Sequence, residues 1–119
     1  MSYDVDLRDA DGELVEVELF AEGGTYVMGG TNWASLNVTY NYAEQYWRKS
    51  VDGGLGDGLR TLHKQRAGDM IDLLENAVTI LGVNQSDNYW EATDGNAGYA
   101  LSILLGWAKQ YPDAVFEVT

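Results

Sequence analysis

Tyr3-Asp4-Val5-Asp6-Leu7-Arg8-Asp9-Ala10-Asp11-Gly12-Glu13-Leu14-Val15-Glu16-Val17-Glu18-Leu19 is the stretch that decides the fold class. Tyr3, Val5 and Leu7 alternate with Asp4, Asp6 and Arg8, and Val15, Val17 and Leu19 alternate with Glu16 and Glu18. A period of two marks half-buried strands. Between them, Asp9 to Glu13 fits a three-residue hairpin loop with Gly12 in the left-handed position. That register sets Val5 opposite Val17 and Leu7 opposite Val15 on the buried face, with Asp4 opposite Glu18 and Asp6 opposite Glu16 outside. Like charges directly opposed across a hairpin cost stability, so salt, a basic partner or core burial elsewhere must offset them.

Downstream, Gly23-Gly24 and Gly29-Gly30 bracket a short strand, Thr25-Tyr26-Val27-Met28. Ser35 to Thr39 reads as a further strand with Leu36 and Val38 on one face and Asn37 and Thr39 on the other. Tyr42 to Lys49 reads as helical with Ala43, Tyr46 and Trp47 inward. Val51 to Gly58 holds four glycines and two aspartates, the composition of a flexible loop. From Ala67 to Leu81, the residues Met70, Ile71, Leu74, Ala77, Val78 and Leu81 recur at helical spacing, and Gly82 supplies the cap. Val83 to Asp94 is a polar loop. The last helix, from about Asn96 to Gln110, takes Thr93 or Asp94 as its N-cap, turns Ala97, Ala100, Leu101, Leu104 and Ala108 inward, and stops before Pro112. Val115 to Val118 is β-prone and returns to the sheet. Four strands, three helices and a final strand predict a single α+β domain over residues 1–119, an antiparallel β-sheet with about three helices packed on one face.

The 119 residues carry 19 acids against seven bases, a formal net charge of −12. Direct nucleic-acid binding and anionic membranes are disfavoured, because phosphate contacts need several Lys or Arg side chains. No apolar run approaches the ~18 residues of a membrane span, and no basic region precedes an apolar one at the N-terminus, so a cytoplasmic location is expected. Cysteine is absent, which excludes disulfides, thiolate nucleophiles and thiol-ligated zinc. Without a secretory signal the sequons Asn37-Val38-Thr39 and Asn84-Gln85-Ser86 are coincidental. The charge is also segregated: eight acids stand in the first 22 residues against Arg8 alone, while Arg48, Lys49, Arg60, Lys64 and Arg66 lie between positions 48 and 66. The acidic side suits adaptation to high salt. It equally suits a polyanion-like face, through Asp4, Asp6, Glu16 and Glu18, that docks on a basic host protein.

Rings and amides concentrate at two places. Tyr40-Asn41-Tyr42 lies at a strand-to-helix junction, and Tyr89-Trp90 precedes Thr93 and Asn96 at a helix N-terminus. Nucleobase pockets need flat surfaces for stacking, amides for base edges, and helix N–H groups for anions. The plainer alternative makes the aromatics core corners, with Asn37, Asn41 and Asn96 capping turns. Arg48, Arg60, Lys64 and Arg66 flank the glycine-rich loop, and glycine N–H groups with guanidinium forks are the ingredients of a phosphate cradle. Here the plainer alternative is surface bases balancing nearby acids, since the spacing matches neither a Walker loop nor a dinucleotide fingerprint. His63 is the one imidazole and would need Asp69 or Asp72 to orient it as a base, with no nucleophile placed beside it. Asp4 and Asp6 have strand spacing that suits a divalent cation or a solvated edge, and Asp9-Ala10-Asp11-Gly12 lacks the remaining ligands of a calcium loop. No metal and no cofactor is implied.

The strings Gly23-Gly24-Thr25-Tyr26, Gly29-Gly30-Thr31, Leu36-Asn37-Val38-Thr39-Tyr40-Asn41-Tyr42, Gly58-Leu59-Arg60, Asp87-Asn88-Tyr89-Trp90-Glu91-Ala92-Thr93-Asp94-Gly95-Asn96-Ala97 and Pro112-Asp113 are spread over most of the chain, from residue 23 to residue 113. This pattern resembles a group of small uncharacterised proteins of phages, prophages and some archaeal genomes. The resemblance implies a small stand-alone cytosolic protein in a mobile-element context and implies no particular activity. Such a context favours interference with a host system, by sequestering a small molecule or blocking a protein. It also singles out Arg60, whose Gly-Leu-Arg string belongs to the pattern. Rings, amides and the cationic window together point to a non-enzymatic binding module. Its small anionic, nucleotide-like ligand would lie among Tyr40, Asn41, Tyr42, Arg60, Tyr89, Trp90 and Asn96. The alternative is an acidic, protein-binding inhibitor that mimics nucleic acid.

Overall fold

The alternation of the first strand is realised, but with other neighbours. In the computed structural model, residues 2–20, 31–49, 55–88 and 90–119 are described, with the backbone alone for 19, 20, 31, 48 and 49. The expected strand Thr25 to Met28, the loop residues Val51 to Gly54, and Tyr89 lie outside the described residues. Strand β1 (Ser2–Arg8) is central in a three-stranded antiparallel sheet, between β4 (Ser35–Thr39) and β5 (Val115–Val118). Val5 stands opposite Leu36 on one side and Val118 on the other, and Leu7 opposite Phe116. These fully or almost fully buried side chains form the inner face.

The expected hairpin of β1 with residues 15–19 is corrected. Its turn forms: Gly12 has φ +80°, and Asp9 Oδ1 accepts from the N–H groups of Asp11 and Glu13. The ladder, however, stops at an Arg8–Leu14 bridge, and β2 (Glu16–Phe20) pairs instead with β3 (Thr31–Trp33) in a second, two-stranded sheet. Where the strands part, a closed ring of backbone hydrogen bonds forms. Leu7 N–H donates to the Ala34 carbonyl (2.9 Å), Ala34 N–H to Val15 (3.0 Å), and Val15 N–H to Leu7 (3.1 Å). All three residues are buried, so these polar groups had to be paired somewhere, and the ring pairs them. β4 suits β1 better than β2 does, because it offers neutral Ser35 and Asn37 where β2 would have set glutamates against aspartates.

The opposition of Asp4 with Glu18 and of Asp6 with Glu16 is therefore absent. Asn37 Nδ2 donates to Asp4 Oδ1 (2.9 Å) and Ser35 Oγ to Asp6 Oδ1 (2.6 Å). A like-charged pair does arise elsewhere, Asp6 opposite Glu117, and Arg8 reaches both at 2.9 and 3.6 Å.

Because the outer face of the sheet carries this polar network, the helices cover the inner face and share one core with it, an α+β arrangement. The expected helix from Ala67 begins as a 3-10 turn (Ala67–Met70) and becomes α1 only at Ile71, running Ile71–Leu81 with Leu74, Ala77 and Leu81 buried. Gly82, at φ +77°, caps it by donating to the Val78 carbonyl at 2.7 Å. Helix α2 (Asp94–Gln110) takes Thr93 as its N-cap, and buries Ala97, Ala100, Leu101, Leu104 and Ala108 as the spacing predicts, with Trp107 beside them. The helices meet closely where Gly98 faces the end of α1: a Cβ there would stand 1.8 Å from the Gly82 carbonyl oxygen.

The segment from Tyr40 to Lys49 departs most from its local pattern. A 3-10 turn (Tyr40–Tyr42) leads into a π-helical turn (Gln45–Lys49). Tyr46 is buried and donates its hydroxyl to the Ala97 carbonyl at 3.0 Å, Ala43 is half-buried, and Trp47 is 58% exposed, which corrects its expected inward placement. Trp47 directly follows Tyr46, and neighbouring residues do not share a helix face, so it leaves the face held by Tyr42 and Tyr46. Residues Lys64 to Arg66 cover the far edge of β5, through Lys64 N–H to Phe116 (2.8 Å), Phe116 N–H to Gln65 (2.9 Å), and an Arg66–Val115 bridge. Among the described residues no helix is long and apolar enough to cross a membrane.

Candidate functional site

Tyr3 is the first apolar residue of β1 and lies at the open end of the sheet's inner face, half-buried. Its ring packs on Tyr40, with centroids 4.5 Å apart and planes tilted by 58°. The Arg60 guanidinium carbon stands 5.8 Å from the same Tyr3 ring, an exposed cation–π contact worth about 0.5–1 kcal/mol. Arg60 is presented by the 3-10 turn Gly58–Leu62, anchored by buried Leu59 and Leu62. Entry to that turn requires Gly58 at φ +62°, and Asp57 N–H is held by Thr61 Oγ1 at 3.1 Å. Tyr3, Glu44, Trp47, Asp57, Gly58 and Arg60 line a cleft of about 780 Å³.

The cationic window divides. Arg66 is bound to Asp113 at 2.6 Å and Asp69 at 3.3 Å; the hydrogen bond to Asp113 first, and then both negative charges, raise its pKa above the ordinary value despite some desolvation. Arg8 and Lys109 are likewise paired, Lys109 with Glu75 at 2.9 Å. Arg60 forms no ion pair among the described residues.

The other expected site residues scatter. Tyr40 is 37% exposed and reaches the cleft through Tyr3. Asn41 donates to the Trp90 carbonyl at 2.8 Å, tying the 3-10 turn to the loop before α2. Tyr42 is fully buried, edge-on to Tyr46 with centroids 6.3 Å apart, and so belongs to the core. Asn96 is also fully buried: its Nδ2 donates to Ser86 Oγ, Asn88 O and Glu91 O at 3.0, 3.2 and 2.9 Å, and its Oδ1 accepts from Ser86 N–H at 3.0 Å. It clamps a loop and has no reach to a ligand. Trp90 is 42% exposed but does not line the cleft.

Sequence reasoning missed Tyr3 and Trp47. The signal for Trp47 is its adjacency to Tyr46, since neighbouring residues do not share a helix face. Tyr3 carries no local signal that separates it from core residues of an alternating strand. His63 Nδ1 accepts from Val118 N–H at 3.0 Å, so the neutral ring carries its proton on Nε2 and its lone pair is already engaged. Asp69 is held by Arg66, and neither Asp69 nor Asp72 forms a hydrogen bond or ion pair with His63 among the described residues, so the expected base and its orienting acid do not assemble. The acidic residues are likewise divided: Asp4 and Asp6 lie on β1, Glu16 and Glu18 on β2, in different sheets, and Asp6 is held by Arg8 and Ser35. Comparison of the chain with protein-family models, with curated proteins and with solved structures gives no match.

Proposed function

We propose that this chain is a non-enzymatic binding module that holds a small, planar, anionic ligand of nucleotide type in the cleft of Tyr3, Trp47 and Arg60. The observation that carries it is Trp47, an indole 58% exposed on a π-helical turn, lining the same cleft as a guanidinium without an ion-pair partner among the described residues. Leaving a large apolar side chain exposed forgoes about 1.5–3 kcal/mol of burial. Local conflicts of this kind concentrate at functional sites. Stacking on an aromatic ring contributes about 1–3 kcal/mol per base, and a guanidinium fork matches phosphate oxygens. The cleft volume of about 780 Å³ falls within the range of small-molecule sites.

Calorimetry of the full chain against nucleoside monophosphates and cyclic nucleotides, at about 0.05 and 0.5 M salt, tests this. Arg60→Ala weakens binding most at low salt, whereas Trp47→Ala weakens it equally at both, because stacking is not screened as charges are. Trp90→Ala leaves binding unchanged. Silence across the whole panel at both salt concentrations overturns the proposal.

A further inference from the structure

Resting on that reading of the cleft, we infer that the preferred ligand carries one negative charge and a ring edge of adjacent N–H donors. This is the chemistry of a guanine-type base on a phosphodiester, in preference to a nucleoside triphosphate. The described lining holds one guanidinium, Arg60, and two carboxylates, Asp57 and Glu44. Asp57 is exposed and directly precedes the turn that presents Arg60, with its backbone fixed by the Thr61 hydroxyl at 3.1 Å. One guanidinium balances one phosphodiester charge. Further phosphate charges would stand against Asp57, which lines the same cleft, and against a chain of net charge −12.

A carboxylate only accepts hydrogen bonds. The N1–H and exocyclic amine of guanine lie side by side and match both oxygens of one carboxylate, while adenine offers a single amine on that edge. Trp47 stacks on either base without preference, so discrimination falls to Asp57.

The test titrates the full chain with cyclic guanosine monophosphate, cyclic adenosine monophosphate and guanosine triphosphate at about 0.15 M salt. The guanosine phosphodiester is expected to bind at least about tenfold more tightly than either of the others, the ratio of one bidentate pair. Asp57→Asn brings the two cyclic nucleotides to near-equal affinity, and Arg60→Ala weakens both alike. Tighter binding of the triphosphate, equal binding of the two cyclic nucleotides, or a preference that survives Asp57→Asn overturns this inference and leaves the cleft reading standing. So does failure of these three ligands while another nucleotide of the wider panel binds. Failure of every nucleotide overturns both.

Discussion

A buried amide is tolerable only when its donors and its acceptor are all met, and Asn96 meets them on Ser86, Asn88 and Glu91. Asn96→Ala strips a half-buried N–H and two carbonyls of their partner, at about 1–3 kcal/mol each where water cannot replace it. A loss of about 3 kcal/mol in denaturant unfolding is expected, with faster hydrogen exchange at Ser86. The amide at the start of α2 was legible in the sequence; its inward direction was not, because it is set by a loop that folds over it. Tyr46 gives the pH prediction. Burial first, then the charges of Tyr42 and Tyr3, push its phenol well above the ordinary range. The unfolded chain releases this proton near pH ~10 and the folded one does not. Its stabilising share is therefore intact below about pH 10 and is lost as pH rises from there through the folded value. Tyr46→Phe costs about 1 kcal/mol at neutral pH, from the unpaired Ala97 carbonyl, and flattens the alkaline decline in unfolding free energy.

At the scale of elements, alternation in residues 3–8 and 15–19 identifies which side chains face the core, and that much was correct for Val5, Leu7, Val15 and Val17. A period of two does not identify the neighbouring strand, which is chosen by what stands opposite, and Ser35 and Asn37 are better opposite aspartates than glutamates are. Arg8 completes that choice by standing between Asp6 and Glu117. Arg8→Ala is expected to cost about 1 kcal/mol at low salt and much less at about 1 M, where screening reaches ~3 Å, as paired melts would show. The α-helices were more legible because their periodicity and caps are local. Their contact was not: Gly98 reads as an ordinary helix weakener until the Gly82 carbonyl is placed against it. Gly98→Ala must push two backbones apart, and a loss of about 3 kcal/mol in stability is expected at a site where alanine would otherwise favour the helix. The π-helical turn was invisible for a different reason, since nothing in Gln45 to Lys49 prefers it over an α-turn.

Over the whole molecule the net charge of −12 remains, but without the opposed acid ladders it acts as a diffuse repulsion. The fold is expected to persist at about 0.01 M salt, with most of the rise in melting midpoint complete by about 0.15 M, where the screening length has fallen to ~8 Å. Unfolding at the low end would show that diffuse charge alone is enough to make the chain depend on brine. The central place of β1 has a consequence in time as well as space. Asp4 and Thr119 exchange backbone hydrogen bonds at 3.0 and 2.9 Å, so β1 takes a neighbour that is made long after it. Until β5 is made, one edge of β1 lacks its native neighbour, and contacts of such long sequence separation close slowly. Nascent chains stalled before Val115 should therefore associate with chaperones or with one another, and release the edge only when β5 arrives.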